Sequence, residues 1–355
     1  MSPEEAASFA GRYLSVDSAE RPAELTNSAL SNPDVLTSLS RILRERFSSD
    51  PSLALDEANF IYRWLTDKGQ RFGLFDERDY FLGETAFIAG TASRLLGKRE
   101  EAFRWLDRAE AGFRHTINPA AGLANVAYAR LSLRFEMGRY DDVLDLVPSL
   151  TASFRKLDMP LEVAKSELLR AKSLKQMGRL EEAYAALDPV RQITALRQSP
   201  DLHAHVVSEI GSVHHLAGRT DEALVAYESS LELLHDRGVS MARADLKMFL
   251  GGLLRDKGNV AAGASSLRSA LEDYLEMGAA TRAAYLRVVL AEALLALTRP
   301  REAEWEILQA LPTIEEQKMV PEGFAAVALL RESVKRRKTD PNALRELREH
   351  LQKQN

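Results

Sequence analysis

A short turn signal recurs along this chain at a nearly constant step. Gly97, Gly138, Gly178, Gly218 and Gly258 are spaced 41 residues apart once and then 40 apart, and Thr298 continues the series at 40. The stretch Met177-Gly178-Arg179-Leu180-Glu181-Glu182-Ala183 shows the signal in full. Glycine supplies the left-handed residue that ends a helix. The acidic pair that follows sits where the positive end of the next helix dipole belongs. A fixed period of this length means supersecondary units that bury their apolar faces by stacking on one another. The expected fold is therefore all-α: a right-handed α-solenoid, or superhelix, of about seven antiparallel helical hairpins.

The residues around each turn are also periodic. Seven residues before it stands a small side chain in five of six units: Gly90, Ala171, Gly211, Gly251 and Ala291, with Leu131 as the exception. Five residues after it come Ala102, Val143, Ala183, Ala223, Gly263 and Ala303. Nine after it come Leu106, Val147, Leu187, Tyr227, Leu267 and Ile307. The small residues predict close helix crossings within each hairpin, and the large ones predict filling of the space between hairpins. Pro119, Pro160 and Pro200 stand at or just before three helix starts, where a missing N–H costs nothing.

The ends are less regular. Residues 1–33 form an irregular N-terminal segment with a short helix over Glu4–Leu14. Helical spacing of Leu36, Leu39, Ile42 and Leu43 predicts a helix to about Phe47. A second helix over Leu53–Leu65 makes the pair a degenerate first hairpin. Residues 34–355 read as one continuous superhelical domain. Asp340-Pro341 opens a C-terminal capping helix, with Leu344, Leu347 and Leu351 on one side and charge on the other.

The small–turn–Ala–large pattern resembles the tetratricopeptide repeat (TPR) of bacterial regulators, here elongated to about 40 residues from the usual ~34. The aromatic near the start of the first helix and the proline closing each unit are missing. The resemblance implies a non-catalytic protein–protein interaction scaffold that holds a partner segment in its concave groove. Two further roles accompany such repeats: a peptide-sensing regulator, and a regulatory or adaptor subunit of a larger effector, such as a caspase-like protease or a nucleic-acid-targeting system.

The same resemblance places groove slots thirteen, ten, six and three residues before each turn. The cations there are Arg94, Lys165, Lys172, Lys175 and Arg255, joined by His205 and His215, with Tyr128 and Phe135 beside them. Such a strip suits an acidic or phosphorylated peptide with an apolar anchor. A solvated helix face is the competing reading of the same charges.

Several function classes lose support. A net charge of −5 argues against direct nucleic-acid binding of the ordinary basic type. The absence of cysteine removes disulfides and thiolate metal sites. No histidine pair has the i,i+4 spacing of a helical zinc site, so no metal and no cofactor is expected. The glycines lack the strand-then-helix context of a phosphate loop. No nucleophile has a plausible base, so no enzyme is expected. The N-terminus carries no secretory signal and no stretch suits a membrane helix, which makes a cytoplasmic protein the default. Homo-oligomerisation stays open. Trp64, Trp105 and Trp305 are expected to pack between hairpins.

Overall fold

The structure is a computed structural model, and it describes residues 1–16, 20–47, 50–69 and 77–339. Among these there are helices and no strands. Two compact units divide the chain, Met1–Met177 and Gly178–Asn355.

In the first unit the helices are α1 (Pro3–Ser15), α2 (Ala23–Leu30), α3 (Pro33–Glu45), α4 (Pro51–Asp67), α5 (Arg78–Leu95), α6 (Arg99–Arg114), α7 (Ala120–Glu136), α8 (Tyr140–Lys156) and α9 (Pro160–Gln176). The short helix expected over Glu4–Leu14 is α1, and a second helix, α2, follows it within residues 1–33. Ser2 and Glu5 form a capping box at the start of α1. Tyr13 and Leu30 are fully buried. Arg21, beyond α1, donates to both carboxylate oxygens of Glu57 on α4 at 3.0 and 2.7 Å and to the Val16 carbonyl at 2.8 Å. Its guanidinium lies 3.8 Å from the centre of the Tyr13 ring. The expected hairpin of α3 with α4 is replaced by different partners: α3 packs against α1, and α4 packs against α5. The reason is the long amphipathic face of α3, whose Val35, Leu36, Leu39 and Leu43 are all buried.

The second unit contains α10 (Leu180–Leu187), α11 (Pro200–Leu216), α12 (Thr220–Leu233), α13 (Met241–Asp256), α14 (Val260–Glu276), α15 (Ala280–Ala296), α16 (Pro300–Glu316) and α17 (Val320–Thr339). Helix α10 stops early because Asp188-Pro189 follows, and two short 3₁₀ segments carry the chain to α11. Helix α17 runs through position 338, where the 40-residue period placed a turn. The expected capping helix, with Leu344, Leu347 and Leu351, lies outside the described residues.

The turn residues behave as their chemistry demands. Gly97, Gly138, Gly178, Gly218 and Gly258 have φ between +73° and +84°, and Thr298 takes the same slot at φ 58°. After Gly97, Gly138, Gly218, Gly258 and Thr298 the next residue donates to a carbonyl five residues back, as in Arg139 N to Arg134 O at 2.9 Å, which closes the helix end. A second series, Asp158, Gly238, Gly278 and Lys318, reverses the chain midway between the first. The physical step is thus one helix per 20 residues in the regular part.

Close packing within hairpins follows the small residues, with one revision. A Cβ on Gly90 would lie 3.0 Å from Leu106, one on Gly211 2.8 Å from Tyr227, and one on Gly251 2.7 Å from Leu267. The large residue nine beyond the turn therefore rests on the small residue of its own hairpin, instead of filling the space between hairpins. Ala183 is fully buried, as the pattern requires. Trp105 meets Tyr62 edge-on at 5.2 Å across neighbouring elements, and Trp64 is buried with its indole N–H on Asn27. Trp305 departs from expectation: it is 52% exposed, with the Arg287 guanidinium 5.3 Å from its ring.

Candidate functional site

The predicted groove slots lie on the first helices of the hairpins, and each unit carries its own set. In the first unit they fall on α5, α7 and α9. Helix α3 already lies on part of this face. Arg44 of α3 donates to both oxygens of Glu84 at 2.6 and 2.8 Å and sits 4.8 Å from the Phe87 ring centre. Glu84 and Phe87, two predicted slots of α5, are consequently buried. A cleft of about 610 Å³ opens beside this contact, lined by Arg41, Arg44, Glu45, Tyr80, Glu84 and Lys165 among others. The structure thus brings predicted Lys165 to residues of α3. Burial raises the Tyr80 hydroxyl above the ordinary tyrosine value, and the Glu84 charge adds to the effect.

Leu168 of α9 is buried as well, and the other slots of this unit remain half-exposed. On α7 the Tyr128 side chain is half-buried, and desolvation raises its hydroxyl pKa against the opposing pull of Ser132 and Arg94. Phe135 is half-buried and packs on Tyr140 with ring centres 5.5 Å apart. Lys172 and Lys175 are half-buried on α9, and each is engaged by a neighbouring group.

The charges of the strip prove to be paired. Arg94 bonds Glu136, the residue just before Met137. Lys165 is 3.4 Å from Glu162. In the second unit, His215 is 3.8 Å from Asp256, and Arg255 is 2.7 Å from Glu292 and 3.6 Å from Asp256. His205 is exposed on α11. Four predicted slots per helix leave out Glu136 and Asp256, which sit one position further on. In each unit the face therefore carries mixed charge rather than cations alone, and most of its pairs are partly exposed and individually weak.

Two further clefts lie on another side of the first helices, fifteen, eleven, eight and four residues before the turn. One, of about 620 Å³, is formed by α7 and α8. The other, of about 720 Å³, is formed by α10, α11 and α12 and includes His203, His214 and Tyr184. In the second cleft Arg219 Nε donates to His214 Nδ1 at 2.9 Å, and the His214 ring lies 5.0 Å from that of Tyr184. Burial depresses both histidine pKa values, with Arg197 adding to the effect at His203 and Arg219 at His214. Sequence slots for the groove miss both clefts. Among the described residues no group of three or more His, Asp or Glu could hold a metal ion, and no helix is long and apolar enough to cross a membrane.

No family model matches the chain, and no curated protein matches its sequence. Solved structures do resemble it. A Rap protein complexed with competence and sporulation factor aligns with a TM-score of 0.58 at 12% identity, over 96% of this chain and 100% of that one. The Rap conjugation gene regulator of plasmid pLS20, in complex with the Phr* peptide, gives 0.54 at 14%, over 96% of each chain. A signal-transduction ATPase with a tetratricopeptide repeat sensor from Pyrococcus horikoshii gives 0.62 at 13%, over 94% of this chain and half of that one. Identities this low establish the fold: a helical-repeat solenoid of tetratricopeptide type.

Proposed function

We propose that this protein is a non-catalytic interaction module that holds a peptide, or a segment of a partner protein, against the first-helix face of its repeats, in a regulatory setting. The observation that carries the reading is the state of α7 and α9. Tyr128, Ser132, Phe135, Lys165, Lys172 and Lys175 stay half-exposed on one face of a folded unit. Aromatic groups beside long cationic side chains are what anchor a short acidic segment. Structures of the same fold described as complexes with a factor or peptide agree with this use. Of the two other roles, the peptide-sensing regulator gains most from these likenesses.

A random peptide display library provides the test. Selection against the wild-type protein should enrich acidic sequences with an aromatic or large aliphatic residue. Their binding should weaken with salt, because exposed charges are screened beyond about 8 Å at physiological ionic strength. It should vanish in the triple variant Lys165→Glu, Lys172→Glu, Lys175→Glu. Enriched peptides without acidic residues, or equal binding to the triple variant, would sink the proposal.

A further inference from the structure

The hairpin α7–α8 breaks two rules that the other hairpins keep, and a cleft lies where it does so. Leu131 replaces the small residue found at this slot in every other unit. The helices pack less closely than those of α5–α6, α11–α12, α13–α14 and α15–α16. The single 41-residue step also falls here. Helix α6 ends at Arg114 and α7 begins at Ala120, so this connection is longer than those between α8 and α9 or α14 and α15.

The result is a trough floored by Leu123, Ala127 and Leu131 of α7 and walled by Leu146 and Leu150 of α8. Its lining is predominantly apolar, and Leu146 is 43% exposed. The corresponding slots are sealed on α5 and α15, although those of α11 line the other cleft. Ala86, Ala89 and Ser93 of α5 are fully buried, and so are Leu290 and Leu294 of α15. Only cations stand among the charged lining residues: Arg130, Arg134 and Lys156. Arg130 is held by Asp107 and Glu110 on α6 at 2.6 and 2.5 Å. Arg134 is held loosely, 3.8 Å from an Asp142 carboxylate whose nearer ion-pair partner is Arg139 at 2.6 Å. Lys156 is exposed and makes no ion pair among the described residues. Because α7 and α8 run antiparallel, Arg134 marks one end of the trough and Lys156 the other. The floor from Ala120 to Arg134 spans roughly 20 Å at the helical rise per residue.

We propose that this trough is a docking site for an amphipathic helix of a partner protein, carrying leucine-type side chains at i, i+3 or i+4, and i+7 with acidic residues on its flanks. The occupant follows from the shape and the charge. A straight apolar channel between two antiparallel helices accepts the ridge of a third. Cations at both ends select against a basic helix and favour an acidic one. This site lies on a different side of α7 from Tyr128 and Phe135, so it is independent of the proposed groove.

The probe is a synthetic helix of about four turns, with leucine at the stated spacing and glutamate elsewhere. Two controls are a scrambled peptide of the same composition and the same leucine pattern with lysine in place of glutamate. Binding is read by fluorescence anisotropy. The acidic amphipathic helix should bind at least tenfold more tightly than either control. The double variant Leu146→Ser, Lys156→Glu should lose at least tenfold in affinity while keeping its helical circular dichroism, since both positions are exposed. Lys165→Glu, Lys172→Glu, Lys175→Glu should bind the helix unchanged. Equal binding of the scrambled peptide, or affinity insensitive to the double variant, would overturn the proposal. Competition by dodecanoate that is itself lost in the double variant, with no binding of the helix, would overturn it in favour of a small amphiphile.

Discussion

Gly251 and Gly252 are neighbours on one helix, and their replacement by alanine should move stability in opposite directions. Alanine is better than glycine inside a helix by roughly 0.5–1 kcal/mol, because less backbone entropy is lost on folding. A Cβ on Gly252 meets nothing within 4 Å. Gly252→Ala should therefore stabilise the second unit by about that amount. A Cβ on Gly251 would lie 2.7 Å from Leu267 Cγ and 2.9 Å from the Gly263 carbonyl oxygen. The leucine has no free space to yield, since it is fully buried, and the carbonyl belongs to the facing helix. Overpacking of this kind costs about 1–3 kcal/mol, so after the propensity gain Gly251→Ala should lose about 1–2 kcal/mol. For a unit of this size each kcal/mol moves the melting temperature by roughly 2–4 °C. Thermal melts followed by circular dichroism, with hydrogen exchange of the α13 and α14 amides, measure both effects. A Gly251→Ala protein that melts at or above wild type would refute the close backbone crossing on which the hairpin packing rests.

Other perturbations are equally specific. Arg21→Ala should cost about 3–5 kcal/mol by stranding the buried Glu57 carboxylate, whereas the double change Arg21→Met, Glu57→Leu should recover much of it; hydrogen exchange in α1 and α4 reports both. Thr298→Gly should raise the melting temperature slightly, gaining up to about 1 kcal/mol by removing a branched side chain from φ 58°. His203 and His214 favour the neutral form in the fold, so their contribution is intact above the ordinary histidine value of about 6.5 and is lost as pH falls from there through the lower folded value. Melts at pH 7.5 and 5.5, set beside those of the His203→Gln, His214→Gln protein, should show a smaller acid loss in the variant.

The helical period was legible because the first turn of each hairpin needs a left-handed residue and five of six positions use glycine. The second turn was not, since Asp158 and Lys318 take a positive φ there, as Gly238 and Gly278 do. An aspartate or lysine at φ near +50° leaves no mark that composition can reveal. The small residues were legible, although their partners were assigned one layer too far away: Tyr227 and Leu267 rest on glycines of their own hairpins. Pairing of the strip escaped the sequence because Arg94 and Glu136, or Arg255 and Glu292, meet only when consecutive hairpins stack. The burial of Glu84 and Phe87 under α3 is a long-range contact with no local signature. The trough beside α7 did leave traces, in Leu131 and in the one 41-residue step, and their meaning emerged only beside the loosened hairpin.

Photo-crosslinking tests the central claim most directly. A photoreactive phenylalanine placed at position 132 or 172 lies on the proposed groove face, and one placed at position 149 lines the trough beside α8. An acidic peptide taken from the display selection, and not displaced by the amphipathic helix that the trough takes, is then added and irradiated. The account predicts covalent adducts from positions 132 and 172, suppressed by high salt, and none from position 149. Adducts from position 149 alone would contradict it and move the peptide site to the other side of α7.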